Sequence, residues 1–352
     1  MARGEEVGAG WAALDSALEA VYDGVEPVQH WGTVRRWSAG GRDPLDGISV
    51  YARTDPVPHW HYVSYGLSEL YAKEREDPLV SGWGFELTAR LRRGDEDAPP
   101  VFLANVLQNL ARYVFETGNV FSPGHSMDLF GPIHEESDTA IRAAMFYDDP
   151  ELADFLGPFG HVRFLQVVGI TEDERAAIRT WDATSVKPIL CEHLPLLVTD
   201  LGRRSLLGHP EVDQAIVQGR TKNGSSLGAL RISTLRVRPE RRFPRRPAMV
   251  TLPATVVDSL CLLLPLRIPF GRAFLLTGAD ESLTVFAGAF YTLMKTPRGW
   301  NLSLTDAQAE AVAAALRPVA GIYEVPGLPE LVFRVERTAV RDQQGNVTGH
   351  VG

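Results

Sequence analysis

Four groups of residues in this 352-residue sequence have the types and spacing to do chemistry. Gly224-Ser225-Ser226-Leu227-Gly228 fits the G-x-S-x-G pattern of a nucleophile elbow, in which a hydrophobic strand precedes the serine and a helix follows it. Here a polar turn at 221–226 comes before Ser226 and a strand-like run comes after, so the order is reversed and the motif reads as a turn. His59-Trp60-His61 would set two imidazoles on one face of a strand, where they could share a metal if Asp55 or Glu69 supplied a third ligand. The plainer reading is two histidines hydrogen-bonded on a partly buried strand. Asp148-Asp149 and Glu135-Glu136 could divide acid and base roles, but adjacency in sequence does not set a separation in space. They read as strand-end or surface carboxylates. The seven arginines at 231, 236, 238, 241, 242, 245 and 246 could grip phosphates. No aromatic stacking pattern or nucleic-acid fold signature accompanies them, so a solvated segment is expected.

The elements that would position these groups alternate irregularly. Trp11, Leu14, Leu18 and Val21 fall on one helical face, and strand-like runs follow at 30–37, 48–53, 59–65 and 84–92. Pro99-Pro100 opens a helix carrying Phe102, Val106, Leu110 and Val114 at four-residue spacing. Further strands are expected at 120–127, 143–148 and 161–170. Thr171 and Glu174 form a capping box for a helix to about residue 181, and Thr305 with Gln308 caps an alanine-rich helix to Leu316. Beyond a helix near 210–218 and a strand at 229–237, the prolines of 238–247 should deny that loop a ladder or helix. Strands are expected again at 260–268, 272–276 and 283–293, then a closing pair that starts at 330–336 and turns at 344–346. Strands and helices in runs, without a strict βαβ rhythm, indicate an α+β fold.

Composition narrows the class. Apolar residues make up 45% of the chain and charged residues 22%, within the globular range, and the length suits two domains. A net charge of −9 argues against general affinity for nucleic acid or anionic lipid. Thirty-one arginines against four lysines suggest a GC-rich, bacterial source. Cys191 and Cys261 cannot make a disulfide framework, and no C-x-x-C, Walker loop, Rossmann glycine fingerprint or H-E-x-x-H occurs. The start of the chain does not look like a signal peptide, and the most apolar run, 256–270, is interrupted by Asp258, Pro265 and Arg267. The expectation is a cytoplasmic protein with no catalytic residues, no cofactor, no metal, no nucleic-acid partner and no membrane association.

Several stretches resemble the Suppressor of fused family. They include Asp43-Pro-Leu-Asp46 with Ser49-Val-Tyr51, His59-Trp-His-Tyr-Val-Ser64 running into Gly66-Leu-Ser-Glu-Leu-Tyr71, and Gly84-Phe-Glu-Leu-Thr88. Leu110-Ala-Arg-Tyr-Val-Phe115, Pro158-Phe-Gly160, Phe164-Leu-Gln-Val-Val-Gly169 and Leu197-Val-Thr-Asp200 continue the series in order. The carboxyl-terminal half matches chiefly through 223–227 and Gly271-Arg272-x-Phe274. The resemblance implies two mixed α/β-sheet domains forming a clamp, an amino-terminal one at 1–205 and a carboxyl-terminal one at 206–352 with the arginine-rich loop 238–247. It implies no enzymatic activity. Animal members restrain Gli-type transcription factors by holding an extended peptide that adds a strand to exposed sheet edges, whereas bacterial relatives are thought to neutralise toxins.

By the same resemblance, Tyr113 and Phe121 match aromatic positions that hold the animal peptide, and Asp149, with Asp148 beside it, matches a family acidic residue. His125 stands where an acidic contact residue is expected, which points to a different ligand. His59, Trp60 and Asp46 are expected to hold the fold. The expected function is a bacterial immunity protein that binds and neutralises a cognate toxin, its partner-binding residues being Tyr113, Phe121, Asp148 and Asp149. The alternatives are a regulatory adaptor that sequesters a transcription factor or other client peptide, and, in another class, a metal-dependent hydrolase using His59 and His61. The sequence does not set an oligomeric state.

Overall fold

A computed structural model describes residues 8–242, 245–341 and 347–352. The chain forms two compact units, one of residues 1–175 with 184–208 and the other of residues 176–183 with 209–352. Both combine helices with mixed sheets, the α+β class read from the sequence.

The first unit contains helix α1 (Ala9–Tyr22) and strands β1 (Gln29–Gly32), β2 (Gly47–Arg53), β3 (His59–Tyr65) and β4 (Val80–Arg92). Helix α2 (Val101–Thr117) precedes β5 (Ser126–Asp128), β6 (Ile141–Asp148), β7 (Phe155–Gly157) and β8 (Gly160–Thr171), followed by helix α3 (Glu172–Arg179), whose residues from Ala176 on belong to the second unit, and by helix α4 (Ala183–His193). The sheet runs β1-β2-β3-β4-β8-β6-β5, with β7 also on β8. β4 and β8 are parallel and the other pairs antiparallel.

Because side chains alternate across a strand, this sheet has two distinct faces. Trp60 and Tyr62 of β3 join Phe85, Leu87 and Ala89 of β4 in a core with Leu103, Leu107 and Leu110 of α2. Val63 and Tyr65 turn the other way, into a core with Leu14 and Leu18 of α1 and Phe164 of β8. The residues of β4 between its apolar ones, Glu86, Thr88 and Arg90, are polar and buried. That alternation sets up the polar network described below.

The second unit contains helix α5 (Pro210–Asn223) and strands β9 (Ala229–Arg231), β10 (Arg236–Arg238), β11 (Arg241–Arg242), β12 (Arg245–Arg246) and β13 (Ala248–Pro253). Helix α6 (Ala254–Leu263) leads to β14 (Phe274–Thr277), β15 (Ser282–Ala287), β16 (Thr292–Thr296) and β17 (Gly299–Leu304). Helix α7 (Asp306–Ala315) leads to β18 (Gly321–Val325), β19 (Leu328–Glu336), β20 (Thr338–Arg341) and β21 (Val347–Val351). The main sheets run β16-β17-β15-β14-β9 and β10-β13-β19-β18.

Both capping boxes form. Glu174 N–H donates to Thr171 Oγ1 while Thr171 N–H donates to Glu174 Oε2, and Thr305 and Gln308 pair in the same reciprocal way. Five expectations need correction. The run 260–268 is the end of α6 and two 3-10 turns, not a strand: Val256, Val257, Leu260 and Leu263 bury a helical stripe. The run 229–237 splits into β9 and β10, and residues 221–223 belong to α5 rather than to a turn. Strand β1 stops at Gly32, and Trp37 begins a 3-10 turn. Within 238–247 a two-rung ladder pairs Arg241 with Arg246 and Arg242 with Arg245. Pro239 and Pro247 lie outside its paired residues, so their missing N–H groups cost no ladder bond. The expected turn at 344–346 lies outside the described residues. Among the described residues no helix is long and apolar enough to cross a membrane.

Candidate functional site

Helix α2 buries Leu103, Ala104, Leu107, Leu110, Ala111 and Val114, and Gly118 ends it at φ 72, in the left-handed region that suits glycine. Tyr113 sits beside this stripe, half-buried. Its ring stacks on Phe121 at 5.7 Å, and Phe121 in turn stacks on Phe146 of β6 at 4.0 Å. The two aromatic positions singled out in the sequence are therefore brought together, but with different surroundings. Phe121 is only 7% exposed and packs in the core, whereas the Tyr113 hydroxyl accepts a hydrogen bond from Asn119 near the surface.

The chain then turns at Gly124, whose N–H donates to Phe146 O, and runs into β5, the edge strand of the sheet. Phe146 N–H donates to His125 O and Leu129 N–H donates to Arg142 O. In an antiparallel ladder this inward bonding at 125 and 129 turns the backbone groups of Ser126 and Asp128 outward. Among the described residues no other strand pairs with β5. Phe130 follows it with a φ of 57 and is 75% exposed, while Val120 on the preceding segment is 45% exposed. Left-handed backbone costs a bulky residue about 1–2 kcal/mol, so an apolar ring is held in solvent by a strained turn. Asp128 steadies that turn by accepting from Phe130 N–H at 2.7 Å. Sequence reasoning passed over Phe130; the available signal was an aromatic residue inside the turn-rich Asp128-Leu-Phe-Gly-Pro132.

The other named residues lie in a different place. His59 and His61 share the α1-side face of β3, as the period of two requires, and both are fully buried. His59 Nδ1 pairs with Val57 O at 2.7 Å, and His61 Nδ1 with the Tyr22 hydroxyl. His61 Nε2 lies 3.3 Å from Asp149 Oδ2. The Arg90 guanidinium donates to both Asp149 oxygens, at 2.7 and 3.0 Å, and also to Glu151 and Gln166. Thr88 Oγ1 and the backbone N–H groups of Glu151 and Leu152 complete the set on Asp149. Burial alone would raise the Asp149 carboxyl, but the close approach of His61 and the charge of Arg90 hold it well below its ordinary value. Burial, then Arg90, press the His61 imidazole down to about 4.

A guanidinium stands here where a metal shared by the histidines would meet Asp149, and among the described residues no three His, Cys, Asp or Glu side chains form a metal-holding group. The arrangement organises the sheet interior. Asp148 points the other way, exposed, and pairs with Arg163 at 3.3 Å. Asp148 and Asp149 thus stand on opposite sides of their strand end, and neither shares hydrogen bonds or ring contacts with Tyr113.

The other family-like motifs also hold the fold. Glu86 accepts from Ser64 Oγ, Ser68 Oγ and the N–H groups of Gly66 and Ser68, which fixes the loop after β3. Trp60 Nε1–H donates to Glu96. In the second unit Ser225 Oγ donates to Arg179 O, and Arg267 and Arg272 both donate to Ser225 O. The 224–228 motif follows a helix and precedes β9, the reverse of an elbow.

These features define a chain of two α+β units, the first built around a buried ionic network and an open sheet edge. Residues 41–204 match the Suppressor of fused protein family model, so this part of the chain is a Suppressor of fused domain. Suppressor of fused homologs of Homo sapiens and Mus musculus are each 34% identical over 225 residues, covering 59% of this chain and 46% of theirs. The chain thus matches about half the length of these curated relatives. A crystal structure of Drosophila Suppressor of fused superposes with a TM-score of 0.80 at 24% identity, covering 95% of this chain and 98% of that one, and so shares the fold. The crystal structure of a Sufu-Fu complex superposes with a TM-score of 0.57 at 29% identity, covering 60% of this chain and 98% of that one.

Proposed function

We propose that this chain is a non-catalytic protein-binding module, specifically a cytoplasmic bacterial immunity protein that neutralises a cognate toxin. A partner segment adds to the open edge of β5, with Tyr113 and Phe130 as its aromatic anchors and Phe121 as the support beneath Tyr113. The observation that carries this reading is the edge itself: outward backbone groups at Ser126 and Asp128 beside a strained, solvent-exposed phenylalanine. Edge addition satisfies those groups through main-chain hydrogen bonds, while the rings supply contact area at low rotamer cost. The net charge of −9 favours a basic partner. The neighbour solved as a Sufu-Fu complex supports partner binding in general, and an adaptor that sequesters a client peptide is the second reading on that ground.

The test is capture from source-cell lysate on the immobilised protein, compared with Ser126→Pro and Phe130→Gly. Proline at 126 removes an outward N–H without taking a ladder bond. A single basic protein held by wild type and lost by both variants, whose toxicity on expression is relieved by co-expressing this chain, is the expected result. A non-toxic client lost by the same variants replaces immunity with the adaptor. Retention of the partner by both variants overturns the β5 site.

A further inference from the structure

The arginine ladder of the second unit is the outer end of a longer ribbon. Arg238 pairs with Met249, and three residues further along each strand Arg241 pairs with Arg246. β11 and β12 therefore continue the antiparallel register of β10 and β13 with no residue gained or lost on either strand. At the base of the ribbon Val237 and Val250 face the core of the unit, while Arg236 and Arg238 alternate with Val237 and are exposed. Arg236 and Arg334 of β19 pair with Thr251 from its two sides, so Arg334 stands on the same outer face, also exposed. Arg246 is exposed as well. Both rungs of the outer end set arginine opposite arginine, a pairing that like charge disfavours. Among the described residues no further strand joins β11 or β12, and Arg238, Arg246 and Arg334 are in no ion pair. Arg236 pairs with Glu336 at 3.5 Å, and Glu240 is the only acid between residues 236 and 251.

We propose that this ribbon binds the phosphate backbone of duplex DNA, with Arg238, Arg241, Arg242, Arg245, Arg246 and Arg334 as its contacts. An arginine fork donates two parallel N–H groups to a phosphate, and phosphates beside the rungs offset the like charge that the ladder carries by itself. A two-stranded ribbon, its strands about 4.8 Å apart, enters a major groove about 12 Å wide. Duplex backbone contact needs no aromatic stacking platform, which a single strand would use and which 236–242 and 245–251 lack. The whole chain carries −9, but salt screens that repulsion beyond about 8 Å under physiological conditions, so the affinity is local to the ribbon. DNA binding here goes beyond protein binding at β5 and does not depend on it.

Fluorescence anisotropy of a labelled duplex of about 20 base pairs, titrated with the full chain at about 50 to 200 mM salt, tests it. Wild type should bind saturably, with log K falling against log salt at a slope of about −5 for six phosphate contacts. Arg241→Gln/Arg242→Gln/Arg245→Gln/Arg246→Gln removes the outer contacts. It should flatten the slope to about −2 and weaken binding at the lowest salt by about 10-fold or more. The same charge change at exposed arginines elsewhere, Arg35→Gln/Arg142→Gln/Arg204→Gln/Arg298→Gln, should leave slope and affinity unaltered. No saturable binding, or equal weakening in the two variants, overturns the site. Binding of a single strand of the same length, or of poly-glutamate, at least as tight as that of the duplex overturns duplex DNA as the occupant. Ser126→Pro should leave the anisotropy titration intact, so failure of the ribbon and failure of the β5 edge are read separately.

Discussion

Replacing Phe130 by glycine separates an aromatic residue kept for binding from one kept for folding. The φ of 57 at this position is strained for phenylalanine and free for glycine, which returns about 1–2 kcal/mol to the folded state. Against that, a ring 75% exposed buries only a quarter of its roughly 200 Å², worth about 1 kcal/mol at ~25 cal/mol per Å². Glycine also loses about 0.5–1 kcal/mol more backbone entropy on folding. The three contributions nearly cancel, so Phe130→Gly should keep its denaturation free energy within about 1 kcal/mol of wild type. Its affinity for a captured partner should fall by about 1–4 kcal/mol, the range of an aromatic anchor. Urea denaturation and titration calorimetry on the same preparations read the two numbers. A loss of stability above about 3 kcal/mol would show that Phe130 is a packing residue, and unaltered affinity would remove it from the site.

The contrasting change is Phe121→Ala, which empties a site packed against Phe85 and Phe146 and should cost about 3–5 kcal/mol of stability in the same denaturation assay. Asp149→Asn breaks a fully buried pair with Arg90 and should cost about 3–5 kcal/mol, while Asp148→Asn at the surface should cost under about 0.5; equal effects would contradict the network. Stability should also depend on pH. The unfolded His61 imidazole takes up a proton below about 6.5, and the folded one, at about 4, does not. Stability therefore falls as pH drops from about 6.5 to about 4, by about 3 kcal/mol, and His61→Gln should remove that slope in pH-resolved denaturation. Asp149, with its carboxyl held low, adds a further loss as pH falls below the ordinary carboxylate range. Gly224→Ala should destabilise by about 2 kcal/mol or more, because a Cβ there would lie 2.3 Å from Leu266 O on left-handed backbone; a neutral result in thermal unfolding would contradict that geometry.

What the sequence made legible was local. The period of two in His59–Tyr65 placed His59 and His61 on one face, and the two capping boxes marked helix starts, because each signal is carried by residues within a few positions of one another. The pairing of His61 with Asp149 and Arg90 was not legible, since β3, β4 and the end of β6 meet only through the order of the sheet. Asp148 and Asp149 looked equivalent as neighbours, yet one faces solvent and the other the network, a consequence of alternation at a strand end whose register the sequence did not fix. The run 260–268 was misread because a short apolar stretch fits a buried strand or a buried helix equally well. Helix α4 was missed altogether, its pattern broken by Pro188. The exposure of Phe130 was not legible, because whether a turn exposes an aromatic ring depends on the backbone angle that the turn adopts.

The central claim is that a partner joins the sheet at β5. Backbone hydrogen exchange on the chain alone and in complex with its captured partner tests it most directly. The account predicts new protection at Ser126 and Asp128, whose N–H groups would become ladder donors, with the β3 and β4 amides unchanged. Protection that appears elsewhere while Ser126 and Asp128 exchange as before would contradict it.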